Sequence, residues 1–228
     1  MVVEMGANNL IRLGILALPL AGLLSLVGLL SRYGTPNPRI DPEAAARTAA
    51  SAGYFASQFL GNVVGLTMLI FGVLALTAYL ANTRARKLAL GAMILSILGI
   101  APVLSALGVN TYALPVLGQA YLEGQRGTLA MVDAIFGNPL RIIFIIAFIL
   151  YAVGFVLFGV AIWRSGALHK GAAISLGLHA PLVASFARPQ PSLTVVVGAL
   201  LFIVGATLVA LDIFWGLSRG SARTKRAR

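Results

Sequence analysis

The sequence predicts an all-α polytopic membrane helix bundle with six transmembrane helices and both termini cytoplasmic. Three observations carry that prediction. Hydrophobic residues make up 59% of the 228-residue chain and charged residues only 10%, with a mean hydropathy of +0.95. A soluble domain of this size needs a far more polar surface. The apolar residues fall in runs close to the roughly 20 residues that cross a bilayer as a helix. The basic residues, which set a net charge of +11, flank those runs unequally, as membrane orientation requires.

Taken in order, the first run covers about residues 10–30 and contains Pro19. It is longer than a signal-peptide core, and no small-residue cleavage pattern follows it, so it reads as a retained span. Gly34-Thr35-Pro36-Asn37-Pro38 stops it. Asp41-Pro42-Glu43 then starts a helix, with an Asp cap, Pro at the first helical position and an acid in the first turn. The alanine-rich stretch behind it is expected to be helical and to run toward span two, about residues 59–81. The basic loop Arg84-Ala85-Arg86-Lys87 ends that span. Span three covers about residues 88–107 and contains Pro102. The connection 110–138 is the longest, with an interfacial helix expected near 120–136. Spans four, five and six follow at about 140–163, 171–187 and 193–217. The domain reading is one six-span unit, 1–217, with a basic cytoplasmic tail, 218–228.

The charges fix the orientation. Eleven basic residues fall on the side of the N-terminus and six on the other, and four of the six acids accompany the smaller group. The positive-inside rule places both termini in the cytoplasm. Trp163 and Trp215 fall near the predicted cytoplasmic ends of their spans, where interfacial aromatics belong. Pro19, Pro102 and Pro181 recur in the odd-numbered spans, and Phe71-Gly72-Val73 matches Phe158-Gly159-Val160. Three parallel hairpin repeats about an axis along the membrane normal would produce such a pattern.

His179 is the only histidine inside a predicted span. An ionisable group there points to function, because hydrocarbon penalises it when unpaired. Tyr151, near the middle of span four, is its expected hydrogen-bond partner. The plainer alternative is a neutral imidazole bonded to a hydroxyl or to a carbonyl freed by Pro181, and it is the favoured one. Asn62, one turn from Gln58, is the third candidate for a ligand site, with interhelical packing as its plainer alternative. Gly61 and Gly65 form a GxxxG pattern read as packing. Asp212 is the only acid inside a span, expected to pair with Arg219, Arg164 or Lys170. The basic tail, Arg219, Arg223, Lys225, Arg226 and Arg228, is expected to contact anionic lipid headgroups.

No cofactor or metal site is predicted. The chain has no cysteine, and a haem held by two histidines does not fit, because His169 lies in a turn at a different depth from His179. No zincin, nucleophile-elbow or phosphate-loop motif is present, nor a carboxylate pair that could share a proton.

Phe158-Gly159-Val160-Ala161-Ile162-Trp163-Arg164-Ser165-Gly166, followed by a basic turn and a short small-residue-rich helix, resembles a family of uncharacterised bacterial multi-pass membrane proteins classed as a domain of unknown function. Members often carry Pro-Arg-Trp where this chain has Leu168-His169-Lys170. The resemblance implies a six-helix bundle in a bacterial inner membrane and brings no activity or site residues.

The leading expectation is a non-catalytic membrane component that binds a partner protein, a lipid or another apolar ligand. The alternative is a small-solute or lipid transporter with a cavity near His179, and an intramembrane enzyme stands third. The expected partners are anionic membrane lipids at the tail and a membrane protein or a second copy of the chain, with no nucleic acid.

Overall fold

The computed structural model describes residues 7–33, 35–184 and 193–226, and all regular structure among them is helical. In chain order these are α1 (Ala7–Tyr33), α2 (Pro42–Ala49), α3 (Ala52–Gln58), a π-helical segment (Phe59–Val64), α4 (Gly65–Leu80) and α5 (Arg86–Leu122). Then come α6 (Thr128–Ile135), α7 (Asn138–Ser165), α8 (Lys170–Ala184) and α9 (Leu193–Arg226).

Five stretches are long and apolar enough to cross a membrane: Asn8–Arg32, Ala52–Leu80, Arg86–Leu122, Thr128–Ser165 and Leu193–Gly216. Their outward faces carry bare aliphatic and aromatic side chains, among them Leu13, Phe71, Ile146 and Leu200. Lipid solvates such a surface and water does not. The chain is a multi-pass membrane protein. The predicted fifth span corresponds to α8, whose 15 residues fall short of the roughly 20 that a bilayer needs. Residues 185–187 of that predicted span lie outside the described residues.

Several predicted boundaries move. Asp41 caps α2 as expected, its carboxylate accepting the Ala44 amide at 3.0 Å. That helix does not run into span two. The chain breaks after Ala49, and the Ser51 hydroxyl starts α3 by accepting the Tyr54 amide at 3.1 Å. Helix α5 does not end near residue 107 but continues through Pro102 and Pro115 to Leu122. At 37 residues it is about 55 Å long. Proline is tolerated there because neighbouring helices can satisfy the backbone groups it frees. The short helix in the long connection is confined to Thr128–Ile135, since Gly124 turns the chain at φ +98°. Helix α9 also outruns its prediction, carrying residues 218–226 as helix. At the end of α7, Gly166 adopts φ +65°, the left-handed stop that glycine allows.

Six helices, the short α8 among them, close into a ring in which each packs on the next in chain order: α1 on α4, α4 on α5, α5 on α7, α7 on α8, α8 on α9, and α9 on α1. The consecutive hairpins α1/α4, α5/α7 and α8/α9 make the most extensive of these contacts. The two Phe-Gly-Val triplets occupy different settings. Gly72 receives Leu18 of its own hairpin partner, whereas Gly159 abuts Ala173 and Gly177 of the next hairpin. The sequence match therefore does not mark equivalent contacts in a repeat.

At one end of the ring the described α4–α5 and α7–α8 turns are tied together and to α9. Arg84 Nε donates to the Arg164 carbonyl at 2.5 Å, placing a cation at the negative end of α7. Asp212 accepts the His169 amide at 2.6 Å, while Lys170 lies over the Trp163 ring; of the partners expected for Asp212, the Arg219 side chain lies outside the described residues. The opposite end is capped by α2, α3 and α6. There Arg39 pairs with Asp133 at 3.2 Å, and Gly118 of α5 lets the backbone of α2 approach at Ala46.

Helix α1 and the π-helical segment meet almost backbone to backbone near the capped end. A Cβ on Gly28 would lie 2.9 Å from the Gly61 Cα, and one on Gly61 would fall on Gly28. Gly61→Ala is therefore expected to destabilise the bundle by about 1–3 kcal/mol, the usual result of overpacking. Gly108→Ala, where a Cβ meets nothing within 4 Å, is expected to be neutral or stabilising by up to about 1 kcal/mol. Reversible unfolding in mixed micelles would measure both, and equal effects would contradict this packing.

Candidate functional site

The ring encloses a cavity of about 130 Å³. Every long helix contributes to its wall. On α1 the lining residues Ala21, Gly22, Ser25, Leu29 and Arg32 recur at helical spacing along one face. They extend the cavity over about 16 Å of the helix axis. The rest of the wall includes Leu66 and Leu69 of α4, Val103 and Leu107 of α5, Phe148 of α7, and Val195 and Ala199 of α9. Most of the lining is aliphatic or aromatic, and the cavity is partly open to its surroundings. At Gly22 the wall is closed by α9, because a Cβ there would lie 2.8 Å from Ile203 Cγ1 and 2.9 Å from Phe202 Cδ1.

One polar group sits deep in the ring. His179 is fully buried, and its Nδ1 lies 2.6 Å from the Leu176 carbonyl. A carbonyl can only accept, so Nδ1 carries the proton and Nε2 is the acceptor. Tyr151 Oη lies 2.9 Å from Nε2 and donates to it. Both ring nitrogens are thereby satisfied in the neutral imidazole. The carbonyl used is that of Leu176, one residue before Gly177, whose bond Pro181 removes. Phe155 and Phe202 press against the imidazole, with ring centroids 4.7 and 4.8 Å away. The Tyr151–His179 pair is a rigid, apolar-sheathed floor of the cavity.

The second polar group lies toward the capped end and is organised by Gln58, itself fully buried. Its Oε1 accepts from Arg32 Nε at 3.2 Å, Arg32 Nη2 at 3.1 Å and Asn62 Nδ2 at 2.8 Å. Its Nε2 donates to Ser31 Oγ at 2.8 Å and to the Gly28 carbonyl at 3.3 Å. Gln58 stands at the junction of α3 with the π-helical segment. Such segments often accompany functional sites, and here Gln58 and Asn62 face α1 together.

Tyr151, His179 and Asn62 all line the one cavity. The structure bonds the first two directly and places Asn62 with Gln58 and Arg32. Arg219, Arg223, Lys225 and Arg226 fall on the last turns of α9; their side chains, and Arg228 altogether, lie outside the described residues. Two contributors were not singled out as site residues from the sequence. Arg32 reads there as a flanking charge that sets orientation, and Gln58 as a packing residue. The signal that could have found them was the small-residue face of α1 ending in Arg32, opposite a glutamine and an asparagine four apart. Among the described residues no group of three or more His, Asp or Glu could hold a metal ion.

Fold and cavity together define a multi-pass helical membrane protein with an internal chamber, apolar along its length and polar at Arg32 and at His179. No family model, curated protein or solved structure matches the chain.

The coupling of Tyr151 and His179 can be tested by a double-mutant cycle. Tyr151→Phe leaves Nε2 without a donor and is expected to lower stability by about 1 kcal/mol, the scale of a hydrogen bond between membrane helices. Combining it with His179→Leu is expected to add less than the sum of the two single effects. Strict additivity would show that the two side chains are not coupled.

Proposed function

We propose that the chain is a six-span protein of a bacterial cytoplasmic membrane, with both termini inside, that holds a lipid or another apolar ligand in the central cavity without transforming it. The observation that carries this reading is the cavity itself: an apolar chamber lined by all six helices of the ring, in a protein whose outer surface is rich in bare apolar side chains. An apolar pocket with a few convergent polar groups is the usual form of a small-molecule site. The ring in chain order and the charge bias support six spans with cytoplasmic termini. The stretch Phe158–Gly166 supports a bacterial family of such bundles. A non-catalytic role is supported by the geometry at His179, where both ring nitrogens are engaged in fixed bonds. The basic residues of α9 add a contact for anionic headgroups, and the exposed apolar faces suit a membrane partner or a second copy.

Passage of a small polar solute is supported less, because the walls between the two polar groups offer it few hydrogen bonds. For the binding reading, native mass spectrometry after gentle extraction is expected to find a retained apolar molecule on the wild-type protein. Val103→Phe and Ala199→Phe fill the chamber from opposite sides and are expected to abolish retention while leaving helicity intact. A wild-type protein with no adduct, or filled variants that keep theirs, would contradict the proposal.

A further inference from the structure

We infer that the ligand is an anionic amphiphile, its phosphate or carboxylate head held at Arg32 and its apolar chain running down the cavity toward Tyr151 and His179. This rests on the binding reading above and assigns the ligand its chemical class. The cavity is chemically asymmetric. At one end its wall includes the guanidinium of Arg32 beside the amide of Asn62, while Leu29, Leu66, Val103 and Phe148 provide apolar walls. None of the described lining residues is acidic, so a bound anion would meet a cation and no opposing carboxylate from the wall.

The support of Arg32 matches that role. Gln58 Oε1 receives both Nε and Nη2, which holds the guanidinium plane, and Gln58 is in turn held by Ser31 and the Gly28 carbonyl. Arginine presents five donors in a fixed fork suited to phosphate and carboxylate oxygens. Cations within membrane-spanning segments commonly mark ligand pathways. Arg32 lies at the end of its span, the depth at which a lipid headgroup resides. From there the lining face of α1 leads three turns inward to Ala21. Head and tail therefore find their matching environments in the order that a membrane lipid presents them.

The test uses the full chain, delipidated in detergent and then offered dioleoyl phosphatidylglycerol, dioleoyl phosphatidylcholine, palmitate or inorganic phosphate, with retention read by native mass spectrometry. The wild type is expected to retain phosphatidylglycerol or palmitate over phosphatidylcholine by about tenfold, the scale of one charge-assisted contact. Inorganic phosphate alone is expected neither to bind nor to displace them. Arg32→Gln should reduce the anionic ligand to the level of phosphatidylcholine, and Arg32→Lys should restore part of the preference. A variant with Arg223, Lys225 and Arg226 all changed to Gln should keep it, which separates the cavity from the basic end of α9. If Arg32→Gln leaves the preference intact, or inorganic phosphate displaces the lipid, the anionic-amphiphile assignment fails while the binding reading stands. If no amphiphile is retained by the wild type, both fail.

Discussion

Buried polar groups in a membrane helix bundle must find partners within the protein, and the Gln58 side-chain amide meets that constraint for a whole corner of this molecule. Its oxygen gathers Arg32 and Asn62, and its nitrogen bonds Ser31 and the Gly28 carbonyl. In hydrocarbon the alternative is an unsatisfied polar group at a penalty of several kcal/mol. The amide reaches α1 because Gly28 and Gly61 let the two backbones almost touch. Small residues at the crossing and polar atoms just beyond it are the usual means by which membrane helices associate. Here the same contact also sets a guanidinium in the wall of the central cavity.

The remaining ring follows a similar logic with less polarity. Glycines at 99, 154, 159, 198 and 205 bring neighbouring helices close, while bulky Phe155, Phe158 and Ile162 fill the core toward the end that carries the α4–α5 and α7–α8 turns. Packing is therefore dense on that side and open on the other. His179 and Tyr151 sit at the transition, satisfied by each other and by the Leu176 carbonyl. The result is a chamber with a fixed floor and a polar rim, suited to holding an elongated molecule.

The helical class and the positions of most long helices were legible in the sequence, because apolar runs of bilayer length seldom occur outside membrane helices. The Asp41 cap was legible too, since its chemistry is local. The limits of α5 and α9 were not. Span three, with Pro102 inside it, was read to about residue 107, yet α5 continues through Pro115 to Leu122, and nothing in residues 218–226 announces whether a polar segment stays helical. The Tyr151–His179 contact could be anticipated from depth alone. Arg32 could not be assigned to a cavity, because a charge at the end of a span reads first as an orientation signal. The π-helical segment, which turns Gln58 and Asn62 toward α1, leaves no pattern in the residues themselves.

The most direct measurement of the central claim is an experimental density map of the protein extracted with its native lipids and never exposed to harsh detergent. The account predicts continuous elongated density inside the ring, between Arg32 and the Tyr151–His179 pair. A chamber closed by inward-turned side chains, or one holding only discrete waters, would contradict it.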